Sequence, residues 1–186
     1  MSVRVWRPAG EDGMPDIHAV LSSAKTHKEQ VAAITRLALR DRRSLGELID
    51  LLEHGTDVEK GTAAEAMKFV SQEDPARLVP HMDVLIRNID YRAPRVRWGC
   101  PEAIGNIAKK YPEKVVKAVP KLLDNLKDDS TVVRWCAAYA LAEIAKNNLK
   151  EQKGLVSKFK SIIRAEKNNG VRNVLIKAVA AIGKAK

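Results

Sequence analysis

Through most of the chain, apolar residues recur at i, i+3, i+4, i+7 and i+8, the spacing that lines them along one stripe of an α-helix. The clearest run is Val133, Cys136, Ala137, Ala140, Leu141 and Ile144. The residues around that stripe recur with it. Val96 to Ala108 and Val133 to Ala145 share Val, Arg, Trp, Ala, Ile and Ala in register, 37 positions apart. Glu65 to Val70 aligns with Glu102 to Ile107 at the same offset, Val171 to Ile182 follows at 38, and Val31 to Leu37 is a weaker first copy. A fixed period of this length marks a repeat architecture, in which each unit buries its apolar face only against its neighbours.

A second helix alternates with the first. Leu78 to Ile89 superimposes on Val115 to Leu126, again 37 apart, with apolar residues meeting apolar residues. Leu155, Val156, Phe159, Ile162 and Ile163 repeat the pattern 40 residues on, which predicts an insertion of about three residues in the turn Asn147 to Lys150. Leu45, Leu48, Leu51 and Leu52 are the equivalents in the first pair. Pro80 and Pro120 bend or delay their second helices, and Pro101 kinks a first helix after Cys100. Residues 1–15 hold Pro8, Gly10, Gly13 and Pro15 without a period and are expected to form an irregular arm, with Trp6 as its anchor. Asp16 to Lys25 carries Ile17, Val20 and Leu21 and looks like the second helix of a truncated unit. The expected organisation is one all-α solenoid over residues 16–186, in units 16–26 (partial), 27–55, 56–91, 92–129, 130–168 and 169–186 (partial).

A first helix reading Val-Arg-x-x-Ala-Ala-x-Ala-Leu-x-x-Ile after the acidic turn Asp128-Asp129-Ser130 resembles a HEAT repeat, particularly the prokaryotic type. The resemblance covers roughly residues 16–184 and implies a right-handed α-α superhelix of about four and a half helix pairs. It further implies a scaffold or adaptor. Arg97, Arg134 and Arg172 stand where such repeats carry a ladder arginine, with Lys60 at the same place, and Asp90, Asp128 and Asp129 are the candidate acids. Glu166 replaces Asp in the last unit.

Composition agrees with helix-on-helix packing: 45% of residues are hydrophobic and only 4% aromatic. Cys100 and Cys136 both fall on apolar stripes and read as small buried residues of a reducing compartment. No apolar run has the length of a signal or membrane segment, so the expectation is a cytoplasmic, soluble protein with no membrane contact.

Charge changes the picture more. Residues 1–92 carry 13 Lys and Arg against 15 Asp and Glu, net −2, whereas residues 93–186 carry 20 against 8, net +12. An acidic protein partner or a nucleic acid fits that half. On the second helices Arg77, His81, Arg87, Lys114, Lys117, Lys121, Lys158, Lys160 and Arg164 face away from the core, forming either a basic groove or a solvated face. Trp98 and Trp135 sit beside the ladder arginines in adjacent units. Side by side on one surface, with Tyr139 one turn on, they would stack a base or anchor a peptide; alternatively, each indole fills a groove between units. The stripe Val174, Leu175, Ala178, Val179 and Ile182 has no second helix after it, which allows self-association at that end.

No catalytic constellation is visible. His18, His27, His54 and His81 are scattered, and nucleophile-elbow, phosphate-loop, His-Glu-x-x-His and Cys-x-x-Cys patterns are missing, so no cofactor or metal is expected. The reading is therefore a non-catalytic protein-binding module, with nucleic-acid binding through the basic half as the alternative. A HEAT-like DNA glycosylase, suggested by basic helical repeats with aromatics near an acid, is the third.

Overall fold

The structure is a computed structural model that describes residues 16–184. Ten α-helices follow one another among the described residues, which contain no strand. They are α1 (Ile17–Ser23), α2 (His27–Arg40), α3 (Arg42–His54), α4 (Asp57–Glu73), α5 (Met82–Arg87), α6 (Pro94–Ala108), α7 (Val119–Asn125), α8 (Thr131–Asn147), α9 (Leu149–Ala165) and α10 (Asn169–Lys184). The expected N-terminal arm, with Trp6, lies outside the described residues.

Local chemistry sets the helix starts. Thr26 and Thr56 each cap a first helix with the side-chain oxygen and donate their own N–H back to the Glu29 and Glu59 carboxylates, so two N–H groups are satisfied at each end. Asp41, Ser130 and Asn148 cap α3, α8 and α9 through their side chains, and Pro94 opens α6, where its missing N–H costs nothing. Pro101 lies within α6, which continues through it to Ala108. Pro80 and Pro120 act as the sequence suggests: in both central pairs the second helix is delayed. Two 3-10 turns, Pro75–Arg77 and Val79–His81, precede the short α5, and Pro112–Lys114 and Val116–Ala118 precede α7.

In the last pair the outcome differs from the expected insertion. Asn148 alone separates α8 from α9, and the extra residues are absorbed by extending α9 to 17 residues of continuous helix. No proline interrupts that segment, so the 3-10 turns of the earlier pairs are replaced by regular helix.

The first helices α2, α4, α6, α8 and α10 pack side by side, with α3 against α2 and α4, α5 against α6, α7 against α8, and α9 against α8 and α10. Their contact faces are built of small residues. An ideal Cβ on Gly99 of α6 would lie 2.5 Å from the Ala64 carbonyl carbon of α4, so the two backbones touch there. Ala63, Ala64, Ala66, Ala103, Ala137, Ala138 and Ala140 are buried around this seam, while Leu48, Leu52, Leu85, Leu122 and Phe159 fill the space beneath the second helices. At the far end Val171, Leu175, Ala178 and Ile182 of α10 are buried, Val174 and Val179 are partly covered, and Ile176 faces outward. The stripe that the sequence leaves without a partner is covered by α8 and α9.

Candidate functional site

The repeat places the same position of α6 and α8 on neighbouring helices, and the ladder forms between them and the following turns. Arg97 on α6 pairs with Asp128, whose other oxygen accepts from the Ser130 N–H at 2.8 Å. Desolvation opposes ionisation of Asp128, but the Ser130 N–H and the Arg97 guanidinium prevail and hold its carboxyl below the usual range. Arg134 on α8 grips Glu166 with Nε at 2.9 Å and Nη2 at 3.3 Å, and its Nη1 donates to the carbonyls of Asp128 (2.8 Å) and Asp129 (3.0 Å). One guanidinium thus ties two successive inter-repeat turns. Glu166 is likewise held low by Arg134 and the Asn168 N–H, against its desolvation.

The other proposed rungs are filled differently. Asp129 contributes only its carbonyl, and Asp90 accepts from Lys121 at 2.7 Å rather than from an arginine. Arg172 donates to Asn169 in its own first turn. Lys60 turns back to the carbonyls of Leu52 (2.8 Å) and Glu53 (2.6 Å), its buried ammonium also 4.9 Å from the centre of the Tyr91 ring. A shorter side chain without a guanidinium fork satisfies a helix C-terminus instead of reaching the next turn.

The aromatic residues divide. Trp135 is 37% exposed and stacks in parallel on Tyr139, one turn along its own helix, at 5.8 Å between ring centres. No ring contact joins Trp98 to Trp135 among the described residues; Trp98 is half-buried, its indole N–H enclosed without a hydrogen-bond partner among the described residues. Tyr139 lies over Gly105 of α6, where any Cβ would enter its ring (2.7 Å). Its hydroxyl donates to Asn106 at 2.6 Å, and Asn106 donates to Ser71 at 3.0 Å, so a polar chain crosses α8, α6 and α4. Beside it stands Glu102, which the repeat pattern did not flag, although it shares the repeat position of Glu65 and Tyr139. Burial pushes its carboxyl up, and the Cys136 thiol lies 3.7 Å from it. Burial also pushes the Cys100 thiol up to about 12 and raises that of Cys136, so both are inert.

On the second-helix side some of the expected cations are already engaged. Arg77 binds Asp74 at 3.2 Å and reaches the Ala38 carbonyl of α2 at 3.3 Å; Arg87 pairs with Glu53, and Lys121 with Asp90. His81 is half-buried. Lys114, Lys117, Lys158 and Arg164 are exposed and have no acid partner among the described residues. Asp74 lies three residues before Arg77 in the same unit, whereas Glu53 and Asp90 come from the preceding units, which register along one helix does not reveal.

The turns within the repeats carry further features. Asn148, 1% exposed, donates to the Pro112 carbonyl at 3.2 Å while its oxygen caps α9, so the α6–α7 and α8–α9 turns are joined. Next to it Leu149 is 83% exposed. Among the described residues no cluster of His, Cys, Asp or Glu is arranged to hold a metal ion, and no helix is long and apolar enough to cross a membrane.

Residues 94–144 match the family model described as HEAT-like repeat. A comparison with curated proteins found no match. Among solved structures the chain is similar to a designed armadillo repeat protein in complex with the peptide (KR)4, at 21% identity and a TM-score of 0.67, covering 89% of this chain and 80% of that one. It is also similar to a computationally designed armadillo repeat protein for modular peptide recognition, at 21% identity and a TM-score of 0.65 over 89% and 81% of the two chains. An engineered protein aligns at 19% identity and a TM-score of 0.68 over 91% and 87%. These likenesses establish the fold as a helical-repeat solenoid.

Proposed function

Starting from a solenoid whose central helices match HEAT-like repeats, we propose that this chain is a non-catalytic interaction module for an acidic partner protein, bound across the units from α6 to α9. The observation that carries the reading is the exposed set Lys114, Lys117, Lys158 and Arg164, left without acids on a rigid helical stack while neighbouring cations are paired. Preformed helices hold such charges apart from one another, so an acidic segment binds without ordering the protein first. The designed armadillo protein in complex with (KR)4 holds a basic peptide; this chain, at net +10, itself carries the sign of that peptide and suits an acidic one. Trp135 and Tyr139 add an aromatic face that a peptide side chain covers.

Fluorescence anisotropy with labelled polyglutamate, polylysine and single-stranded DNA tests the reading. Polyglutamate is expected to bind with an affinity that falls as salt rises, and polylysine not to bind. Equal binding of both peptides, or of neither, sinks the proposal. DNA binding stronger than that of the acidic peptide of equal charge transfers the function to nucleic acids.

A further inference from the structure

Charge is distributed unevenly between the two edges of the solenoid. Along the turns that join one repeat to the next, cations are consumed: Arg92 on Asp57, Arg97 on Asp128, Lys121 on Asp90, Lys127 on Asp124 and Arg134 on Glu166. Along the turns inside the repeats, Arg40 meets Asp41 and Arg77 meets Asp74 in the first two units, but in the last two most cations are left over. Residues 109–117 carry four lysines and one glutamate, and residues 146–153 carry three lysines and one glutamate. Lys146 binds Glu143, and Lys109 leans on the Tyr139 ring at 5.6 Å. Lys110, Lys114, Lys117, Lys150 and Lys153 are exposed and have no ion pair among the described residues.

The two segments form one surface. The Asn148 side chain bonds the Pro112 carbonyl at 3.2 Å, fixing the start of α9 against the 3-10 turn Pro112–Lys114. In the middle of this basic edge stands Leu149, at 83% the most exposed large hydrophobic among the described residues, flanked by Lys146, Lys150 and Lys153. A scattered exposed leucine means little by itself, but a leucine beside Lys150 and Lys153, both without an ion pair among the described residues, is chemically selective. A phosphodiester backbone satisfies the lysines but does not itself cover an aliphatic side chain. An acidic peptide that carries an apolar residue satisfies both.

We propose that the intra-repeat edge formed by the α6–α7 and α8–α9 turns is the docking surface for an acidic peptide segment bearing an aliphatic residue, which packs on Leu149 while its carboxylates meet Lys110, Lys114, Lys117, Lys150 and Lys153. This rests on the acidic-partner reading and locates it, moving the centre of the surface from the second-helix face to the edge. The lysines set attraction and salt dependence, and Leu149 sets the choice among acidic segments.

The test uses the full chain, a labelled peptide of glutamates with leucine at every fourth position, an all-glutamate peptide of the same length and a single-stranded oligonucleotide of the same charge. The variants are Leu149→Ser, Lys114→Glu with Lys117→Glu, and Lys158→Glu with Arg164→Glu; circular dichroism checks that each stays folded, as their exposure predicts. The leucine-bearing peptide is expected to bind more tightly than the all-glutamate one, by about tenfold for one buried aliphatic contact. Leu149→Ser should erase that difference, and the Lys114/Lys117 pair should weaken both peptides far more than the Lys158/Arg164 pair does. If both peptides bind but respond only to Lys158 and Arg164, the acidic-partner reading stands and this surface is wrong. Equal affinity of the two peptides for the parent chain also overturns it, as does preferential binding of the oligonucleotide. Failure of either peptide to bind overturns both proposals together.

Discussion

The inter-repeat turns and the intra-repeat turns perform the same mechanical task, reversing the chain between antiparallel helices, with different chemistry. The first set is closed by ion pairs that reach over about thirty residues, such as Arg97 to Asp128 and Arg134 to Glu166. In the α6–α7 and α8–α9 turns of the second set the closing contacts are neutral: the Asn148 amide on the Pro112 carbonyl, a proline-started 3-10 turn, and the Gln152 amide on the Ala145 carbonyl at 3.1 Å, whereas the earlier α2–α3 and α4–α5 turns keep the pairs Arg40–Asp41 and Arg77–Asp74. Because the neutral contacts need no lysine, the lysines of that edge are left for something else. A repeat protein thereby separates charges that hold the stack together from charges that are free to bind.

The two edges share the helix seam between them, and its failure should exceed any edge effect. Gly99→Val forces a branched side chain into the Ala64 backbone, where even a methyl group has no room. Overpacking of this kind costs about 3 kcal/mol or more, and a urea melt should show it as a lowered midpoint. A loss under about 1 kcal/mol would mean that the helices slide apart cheaply and that the seam does not fix the edges.

Next comes the charged edge. Arg134→Ala leaves Glu166, whose side chain is 7% exposed, without its guanidinium and frees two carbonyls, at an expected cost of about 2 kcal/mol. Acid should loosen the same edge. Asp128 and Glu166 are held below the unfolded carboxylate range of about 4. Their stabilisation is therefore complete above that range and is lost as pH falls through the folded values, where the native state must take up protons it resists. Glu102 has the opposite sign: its carboxyl is raised, so acidification relieves a buried charge rather than breaking a pair. Hydrogen exchange at pH 3 should consequently open the turns at 128–130 and 166–168 before those at 109–112 and 148. Simultaneous opening would remove the distinction between the edges.

How much of this was readable beforehand follows from what periodicity encodes. Helices, their alternation and the buried stripe of α8 follow from apolar spacing alone, because a side chain's face is set by its place along its own helix. Pro80 and Pro120 announced the delayed second helices, since a missing donor acts locally. Arg97 and Asp128 were legible from their repeat positions. What register along one helix does not carry is the destination of a long side chain. Arg77 reaches Ala38 and Arg87 reaches Glu53, each in another unit, and Lys60 folds back where an arginine would have gone forward. The three extra residues before Leu155 gave an offset without a location, so they read as a loop although they extend α9. The apolar period places Asn148 only within the turn Asn147 to Lys150; neither its capping of α9 nor its bond to Pro112 follows from that period.

Asn148→Ala probes the neutral edge. It removes a buried cap and the bond to Pro112 while introducing no buried charge, so the expected cost is about 1 kcal/mol, below that of Arg134→Ala. Protection should fall at the first turn of α9 and leave the turn at 128–130 unchanged. A cost above that of Arg134→Ala would show that the amide, not the ion pairs, carries the stack.

The smallest effect belongs to the free lysines, and it is the sharpest check on their freedom. Lys110 follows the C-terminus of α6, where a cation stabilises the helix dipole, whereas Lys150 lies in the first turn of α9, where a cation opposes it. Lys110→Gln should therefore cost a few tenths of a kcal/mol and Lys150→Gln should return a similar amount. The double variant is expected within about 0.5 kcal/mol of the parent in a urea melt, as for surface residues without partners. A loss of more than about 1 kcal/mol would mean that these lysines serve the fold. The edge they occupy would then be another set of structural contacts, and its charge would no longer be available to a partner.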